Sequence, residues 1–309
     1  EVSTSSDVEA ALDGAEVVIL SIEPGPTEMR YCDLEIPARY GILQTVGDTT
    51  GPGGIVRAWR AVPILLEYAE RIRSRSPEAW VINYTNPMSL CTAALYEGYP
   101  GIKAVGCCHE VPAMRRELAQ FFAVDGTTRP GASNSIRMEV AGINHFTFAP
   151  SIGLHGEDLL QRLGEYAQRS ESRTDLTRIA QARKSREAWF ESDHRIALEL
   201  LRRFGVYGCA GDRHLAEFVP WFLSSEAELE RYGVILTPYS WRKRRAQDRK
   251  ARRPEEEACV LEPSGEEGVA MIDGLFGGTE TRTNVNVPNR GQIPWLPQGH
   301  IVETYATVG

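Results

Sequence analysis

Two short stretches far apart in the chain carry side chains that bind metal ions. Gly106-Cys107-Cys108-His109-Glu110 offers thiols beside an imidazole, and Gly142-Ile143-Asn144-His145 offers a second imidazole. A Cys108 thiolate and a His145 nitrogen suit several divalent ions, and two protein ligands leave positions open for water and substrate oxygens. The same pair also suits a buried free thiol and a core histidine, and the two residues alone do not decide. His109 either exchanges a proton near neutral pH or is a hydrogen-bonded histidine at a strand end. Cys107 and Cys108 would alternate along a strand, so at most one faces a site. A third group, Asp212-Arg213-His214, sets a carboxylate, a fixed cation and an imidazole within three residues. It reads as a surface salt-bridge cluster or, with Leu215, Phe218, Val219 and Trp221 beside it, as partly buried charge with a function. Asn86 before Pro87 and Asn144 before His145 are polar groups in apolar runs, either turn formers or partners for substrate hydroxyls.

The elements that must position these residues alternate in type. Residues 15–20 read as a buried strand, followed by a Pro/Gly-punctuated loop carrying Arg30 and Asp33. The loop Gly47-Asp48-Thr49-Thr50-Gly51-Pro52-Gly53-Gly54 leads into a helix over about 55–74, with Ile55, Trp59, Val62, Leu66 and Ala69 on its buried face. Strands at 80–83 and 102–106 and helices at about 88–96 and 112–122 follow. This succession predicts an α/β fold with a Rossmann-like, doubly wound parallel sheet. Ligands gather at the carboxyl ends of such strands, where Glu23, Asn83 and Cys108 fall. From Ile136 the pattern changes. Residues 137–142 read as a strand of a different sheet, helices dominate about 157–204, residues 264–278 form another helix, and 283–289 are strand-like. A boundary near residue 130, in the turn-rich stretch 126–135, separates a Rossmann-like domain over 1–130 from an α+β metal and substrate domain over 131–309.

Composition excludes other classes. With 309 residues, 42% hydrophobic and 25% charged, the chain can bury a large core and is not a disordered segment. A net charge of -8 argues against nucleic acid as a partner. The basic run Arg242-Lys243-Arg244-Arg245, continuing to Arg252-Arg253, is followed by Glu255-Glu256-Glu257 and reads as a solvated helix or loop. No apolar run reaches about 18 residues, so no membrane partner is expected. No leader pattern opens the sequence, and six irregularly spaced cysteines point to free thiols in the cytoplasm. No GxGxxG occurs, so either no dinucleotide binds or the first βαβ unit precedes Glu1.

Five motifs in order resemble glycoside hydrolase family 4, glycosidases that require NAD and a divalent metal, usually manganese. They are Gly47-Asp48-Thr49-Thr50-Gly51-Pro52-Gly53-Gly54-Ile55, Asn83-Tyr84-Thr85-Asn86-Pro87-Met88, Gly106-Cys107-Cys108-His109, Gly142-Ile143-Asn144-His145 and Asn286-Val287-Pro288-Asn289. The resemblance implies that Cys108 and His145 bind Mn²⁺, that Ile22 and Asn83 line the NAD site, and that Arg30, Asn86, Asn144, Arg213 and Asn289 contact the sugar. It makes His109 the proton donor, in a position that is acidic in members acting on phosphosugars. The family's base at C2 is often a tyrosine in the region of 211–218; none is present here, which leaves Asp212 or His214. It also implies that the first βαβ unit and the carboxyl-terminal end lie outside these residues. Family chemistry oxidises C3 with NAD, eliminates the group at C1, adds water and returns the hydride, outside the two-carboxylate scheme of most glycosidases. The motifs look most like the branch acting on α-linked hexuronides such as galacturonides, with Arg213 or Arg290 for the sugar carboxylate. α-Galactosides come second and 6-phospho-glycosides third. A 2-hydroxy-acid dehydrogenase, which would lack the metal pair, and a non-catalytic sugar-binding module are the alternatives from other classes. A homo-oligomer is expected.

Overall fold

The structure is a computed structural model, described here for residues 3–122, 135–169, 176–251 and 266–309. Three short apolar runs, β1 (Val17–Leu20), β2 (Trp80–Asn83) and β3 (Lys103–Gly106), pair in parallel. Helices α1 (Val8–Leu12), α2 (Thr27–Ala38), α3 (Gly51–Arg75), α4 (Met88–Gly98) and α5 (Glu110–Phe121) accompany them. Asp7 caps α1 by accepting from the amides of Glu9 and Ala10. In α3 the buried residues Ala61, Leu65, Ala69 and Ile72 recur at helical spacing and pack with Leu20, Val81, Leu95 and Ala104. Ile55 and Trp59, expected on that face, are instead exposed, because the sheet lies under the 61–72 stripe. Arg30 and Asp33, expected in a loop, lie on α2.

Beyond residue 135 come β4 (Ile136–Ile143), β5 (Phe146–Leu154), β6 (Glu157–Asp158), α6 (Leu159–Arg169), α7 (Leu176–Ser185), α8 (Arg195–Phe204), β7 (Tyr207–Gly208) and α9 (Asp212–Phe218). A 3-10 turn at Pro220–Leu223 leads to α10 (Glu226–Arg231), α11 (Tyr239–Ala251), α12 (Gly268–Leu275), β8 (Thr281–Pro288) and β9 (Ile301–Val308). The β4 strand does not start a different sheet. One sheet runs in the order β1-β2-β3-β8-β9-β4-β5-β6, with β7 paired to β5. The hairpin β8–β9, from the end of the sequence, bridges the parallel strands and the β4–β5 hairpin, a connection that local periodicity cannot reveal. The domain boundary near 130, the basic run's extension to Arg253 and the acidic triplet at 255–257 fall outside the described residues. Among the described residues no helix is long and apolar enough to cross a membrane.

The bridge aligns one residue from each of seven strands. Leu20 pairs with Asn83, Asn83 with Gly106, Gly106 with Asn286, Asn286 with Glu303, Glu303 with Gly142, and Gly142 with Thr147. Paired residues present their side chains to the same face of a sheet. The row therefore sets four buried polar side chains, Asn83, Asn286, Glu303 and Thr147, across the carboxyl ends of β1–β3. Gly106 is a glycine for a packing reason: a Cβ there would lie 2.8 Å from Asn286 Cβ and Thr92 Oγ1 and 2.9 Å from Met88 Cγ.

Candidate active site

His145 sits on the two-residue turn between β4 and β5, with Ile143 and Phe146 paired on either side of it. Its φ of 64° is left-handed backbone, uncommon for a side-chain-bearing residue and typical of sites where geometry is imposed. Gly142 precedes it because a Cβ there would meet Phe146 O at 2.4 Å. Thr49 Oγ1 lies 3.0 Å from His145 Nδ1, which orients the ring and leaves Nε2 for a ligand. The His214 ring stacks on it with centroids 3.7 Å apart. Burial, followed by the neighbouring His214, depresses the His145 pKa to about 3, so the imidazole is neutral and able to donate a lone pair.

The third member of this group is Asp48. One ligand atom each from Asp48, His145 and His214 lie within 4.8 Å of one another. Burial opposes ionisation of Asp48, but His214, His145 and Arg30 outweigh it and hold the carboxyl below its ordinary value. Its loop is gripped from α9, where Glu217 Oε1 accepts the amides of Val46 at 2.6 Å and Gly47 at 2.8 Å. Cys108 lies outside this group of three but shares a cavity with His145. It follows β3, is buried, and with His109, His145, Asn86, Tyr84 and Ser21 lines a cavity of 390 Å³. Cys107 lines the cavity too, contrary to the alternation expected, because β3 ends at Gly106 and the strand pleat no longer applies. Burial, then the carboxylates of Glu303 and Glu110, push the Cys108 thiol well up.

A divalent cation fits this donor set. The neutral His145 imidazole, the His214 ring and the ionised Asp48 carboxylate face one another, with the Cys108 thiol on the cavity that His145 also lines, and a cation would favour the thiolate that burial disfavours. Around them, Asn144 Oδ1 and both side-chain polar atoms of Asn286 are buried without a hydrogen-bond partner. Unpaired buried polar atoms are costly, which marks them as contacts for something bound. For NAD, the described chain supplies the ends of β1 and β2 and no glycine-rich phosphate turn. The Ile22 amide donates to Thr85 Oγ1, and the Asn83 amide is occupied by Thr85 and Thr92. Both therefore fix the strand ends, while Ser21 and Tyr84 face the cavity.

The structure brings together Cys108, His109, His145 and Asn86 around the cavity, with Asn144 behind them and His214 beside His145. Arg30 stands next to the group, 3.2 Å from Asp48. His109 is more than half exposed at the cavity wall, and its hydrogen bond to Glu110 raises its pKa above the ordinary histidine value. Glu110 links His109 and His214, at 3.3 and 3.7 Å.

Three expected residues serve elsewhere. Asp212 Oδ1 accepts the amides of Ile196 and Ala197, each at 3.1 Å, so this carboxylate caps α8 and does not fit the role of base. Arg213 donates to the carbonyls of Trp189, Ile235 and Thr45 and offers no free guanidinium to a sugar. The Asn289 amide donates to the carbonyls of Ile293 and Leu296 and closes its own loop. Asp212→Ala is accordingly expected to destabilise the fold by about 1–2 kcal/mol, while Asp212→Asn, which keeps the acceptor oxygen, loses less than half of that. Chemical denaturation reads the first effect. A kcat reduced by orders of magnitude in Asp212→Asn would restore Asp212 as the base.

Asp48, Glu110, Glu217 and Glu303 carry no role in the sequence reading. Glu303 alone left a signal there, as a carboxylate inside the apolar strand Ile301-Val302-Glu303-Thr304-Tyr305.

The sequence pattern of the Family 4 glycosyl hydrolases matches residues 1–124, and that of their C-terminal domain matches residues 140–309. The chain belongs to the family 4 glycosyl hydrolases. It is 44% identical to an α-galacturonidase of Bacillus subtilis, over 98% of this chain and 68% of that protein. It is 39% identical to an α-galacturonidase of Thermoanaerobacter italicus, over 99% of this chain and 68% of that one. A solved Bacillus subtilis structure described as a glucosidase superposes with a TM-score of 0.86 at 42% identity, covering 98% of this chain and 69% of that chain. The fold also matches a 6-phospho-β-glucosidase of Thermotoga maritima, solved with manganese, NAD+ and glucose-6-phosphate (TM-score 0.70, 23% identity, 98% of this chain and 66% of that one). The chain thus spans about two-thirds of the length of these relatives.

Proposed function

We propose that the protein hydrolyses α-linked hexuronides as an NAD- and divalent-metal-dependent α-galacturonidase. Four α-galacturonidases at 39–44% identity support this reading. The observation that carries it to a charged sugar is a pair of guanidiniums beside Asp48. Tyr31 of α2 and Tyr239 of α11 meet with ring centroids 4.2 Å apart and planes tilted by 41°, which brings α11 beside α2, and the charge of Arg30 is felt by Arg242, one helical turn beyond Tyr239. Arg242 makes no ion pair among the described residues, and its Nε is buried without a hydrogen-bond partner. Burial, then the charge of Arg30, depress its pKa to about 10. A sugar carboxylate would give Arg242 the anion it lacks and share Arg30 with Asp48 and Glu23, in the bidentate manner that guanidinium favours. Arg242 thus takes the place expected for Arg213, which is occupied by carbonyls, or for Arg290, which is exposed beside the 289–297 loop.

In this reading Cys108, His145, Asp48 and His214 surround the ion, and Asn86 and Asn144 bind sugar hydroxyls. His109, whose pKa the Glu110 hydrogen bond raises, delivers a proton to the leaving oxygen. His214, held between His145 and Glu110, is the remaining candidate for the base that takes the C2 proton. When bound, NAD supplies a hydride acceptor and the metal polarises the sugar oxygens. The described cysteines are all free, which suits a cytoplasmic enzyme. A second copy would cover the exposed Ile55, Val56 and Trp59 of α3.

The test is nitrophenyl α-galacturonide hydrolysis by the full-length protein with NAD, Mn²⁺ and a reductant, beside nitrophenyl α-galactoside. Arg242→Met should lower kcat/KM on the uronide about 10–100-fold, the worth of a charged hydrogen-bonded contact, and change the galactoside rate less than about threefold. Equal activity without NAD and metal, or equal losses on both substrates, would overturn the reading.

A further inference from the structure

Glu303 is the centre of the polar row and the most deeply buried acid near the site, with 1% of its surface exposed. It has no cationic partner among the described residues. Its carboxylate instead accepts from three neutral donors: Thr147 Oγ1 at 2.8 Å, Asn284 Nδ2 at 2.6 Å and Asn144 Nδ2 at 3.4 Å. Burying a carboxylate without a counter-charge is expensive, and three neutral hydrogen bonds offset it only in part. An apolar side chain at this position of β9 would hold the sheet together at lower cost. Burial accordingly raises the Glu303 pKa above the ordinary carboxylate value, and the carboxyl group's use lies in what it holds.

Its contacts show what that is. Oε2 reaches both Asn144 and Thr147, the residues that flank His145 and Phe146 across the β4–β5 turn. The turn carrying His145 in its left-handed conformation is thus anchored on two sides by one group from a neighbouring strand. Oε2 is the acceptor in both of these hydrogen bonds. It therefore decides the orientation of the Asn144 amide: Nδ2 faces Glu303, and Oδ1 is left buried and unpartnered. The same amide favours the Cys108 thiolate, which ties the strand-end thiol to the histidine turn. A glutamine at 303 would present its own NH₂ to one of three donors and would release the amide to turn over.

We propose that Glu303 is a positioning residue, whose carboxylate fixes the His145 turn and the direction of the Asn144 amide so that Cys108 and His145 can take a divalent ion together. This rests on the reading of Cys108 and His145 as metal ligands. Partners that orient metal ligands from behind typically change metal affinity by about 10–100-fold when removed.

The experiment uses the full-length protein and Mn²⁺ alone, titrated by electron paramagnetic resonance, with Co²⁺ as a second probe through its thiolate charge-transfer absorption. Glu303→Gln is expected to weaken Mn²⁺ binding about 10–100-fold and to diminish the Co²⁺–thiolate band. Asn284→Ala, which loosens Glu303 from the far side, should shift both in the same direction by a smaller factor. It also carries the test if Glu303→Gln fails to fold. Wild-type Mn²⁺ affinity and an unchanged Co²⁺ band in these variants would overturn the proposal. Cys108→Ser and His145→Ala separate two failures. If they too leave Mn²⁺ affinity unchanged, the ligand assignment falls. If they weaken it and Glu303→Gln does not, only the role of Glu303 falls.

Discussion

Cys108→Ser in the full-length protein should lose Mn²⁺ affinity by more than about 100-fold and, with it, detectable glycosidase activity. The serine oxygen is a weaker ligand that is hard to deprotonate, whereas a cation readily draws a thiol to thiolate. Loss of a direct ligand should exceed the factor of about 10–100 that an orienting partner contributes. The buried cavity wall should tolerate the substitution, because serine is smaller than cysteine and Asn144 is at hand to hydrogen-bond it. Melting of the metal-free protein should therefore move little, while the stabilisation that added Mn²⁺ gives the wild type disappears. The alternative donor set makes the opposite prediction. If the ion rests on Asp48, His145 and His214 without the thiol, Cys108→Ser retains wild-type affinity and Asp48→Asn destroys it. Titrating both variants decides between them.

Arg213→Met should cost the fold about 3–5 kcal/mol, a large share of the roughly 5–15 kcal/mol that holds a domain together. The guanidinium is a cross-brace between segments far apart in sequence. Nη1 donates to Trp189 O at 2.9 Å and Ile235 O at 2.7 Å, Nη2 donates to Thr45 O, and Thr45 Oγ1 returns a bond to Arg213 O at 2.5 Å. Burial brings the Arg213 pKa down to about 10, leaving it charged at neutral pH. Methionine fills similar volume but strands three buried carbonyls, each costing about 1–3 kcal/mol. The loop most affected begins at Thr45 and carries Asp48, so activity should fall with stability. Lysine should rescue little, since one ammonium cannot reach three carbonyls set around a planar fork. A thermal midpoint within a degree or two of wild type would refute this account.

The two predictions also show what sequence could and could not convey. That Cys108 and His145 would share one cavity was legible because each follows a glycine-bearing, strand-like run, and because β3 and the turn after β4 sit where local periodicity places them. His109 reaches the same cavity by adjacency. Asp48 lay in a quoted motif but carried no role, since a Gly-Asp-Thr loop reads like any polar turn until Glu217 is seen to fold it over His145. Asp212 and Arg213 misled for the converse reason. Charged neighbours on a short helix look like site chemistry, but their partners are backbone groups at Ile196, Ala197, Trp189, Ile235 and Thr45, contributed by segments that no local pattern connects. The α/β class followed from strand–helix alternation. The single sheet did not, because its join is made by β8 and β9.

That join bears on how the protein is made. Gly106 is bonded across to Asn286 and Glu303 across to Gly142, so the middle of the sheet is filled by strands that emerge well after both of its halves. Until then β3 and β4 each present an open edge, and closing the gap requires contacts between residues separated by well over a hundred positions. Such distant contacts make folding slow and leave strand edges exposed to other chains in the meantime. The thiol and the imidazole are not held in register until β8 and β9 insert, so metal should be captured only after β9 has taken its place in the sheet.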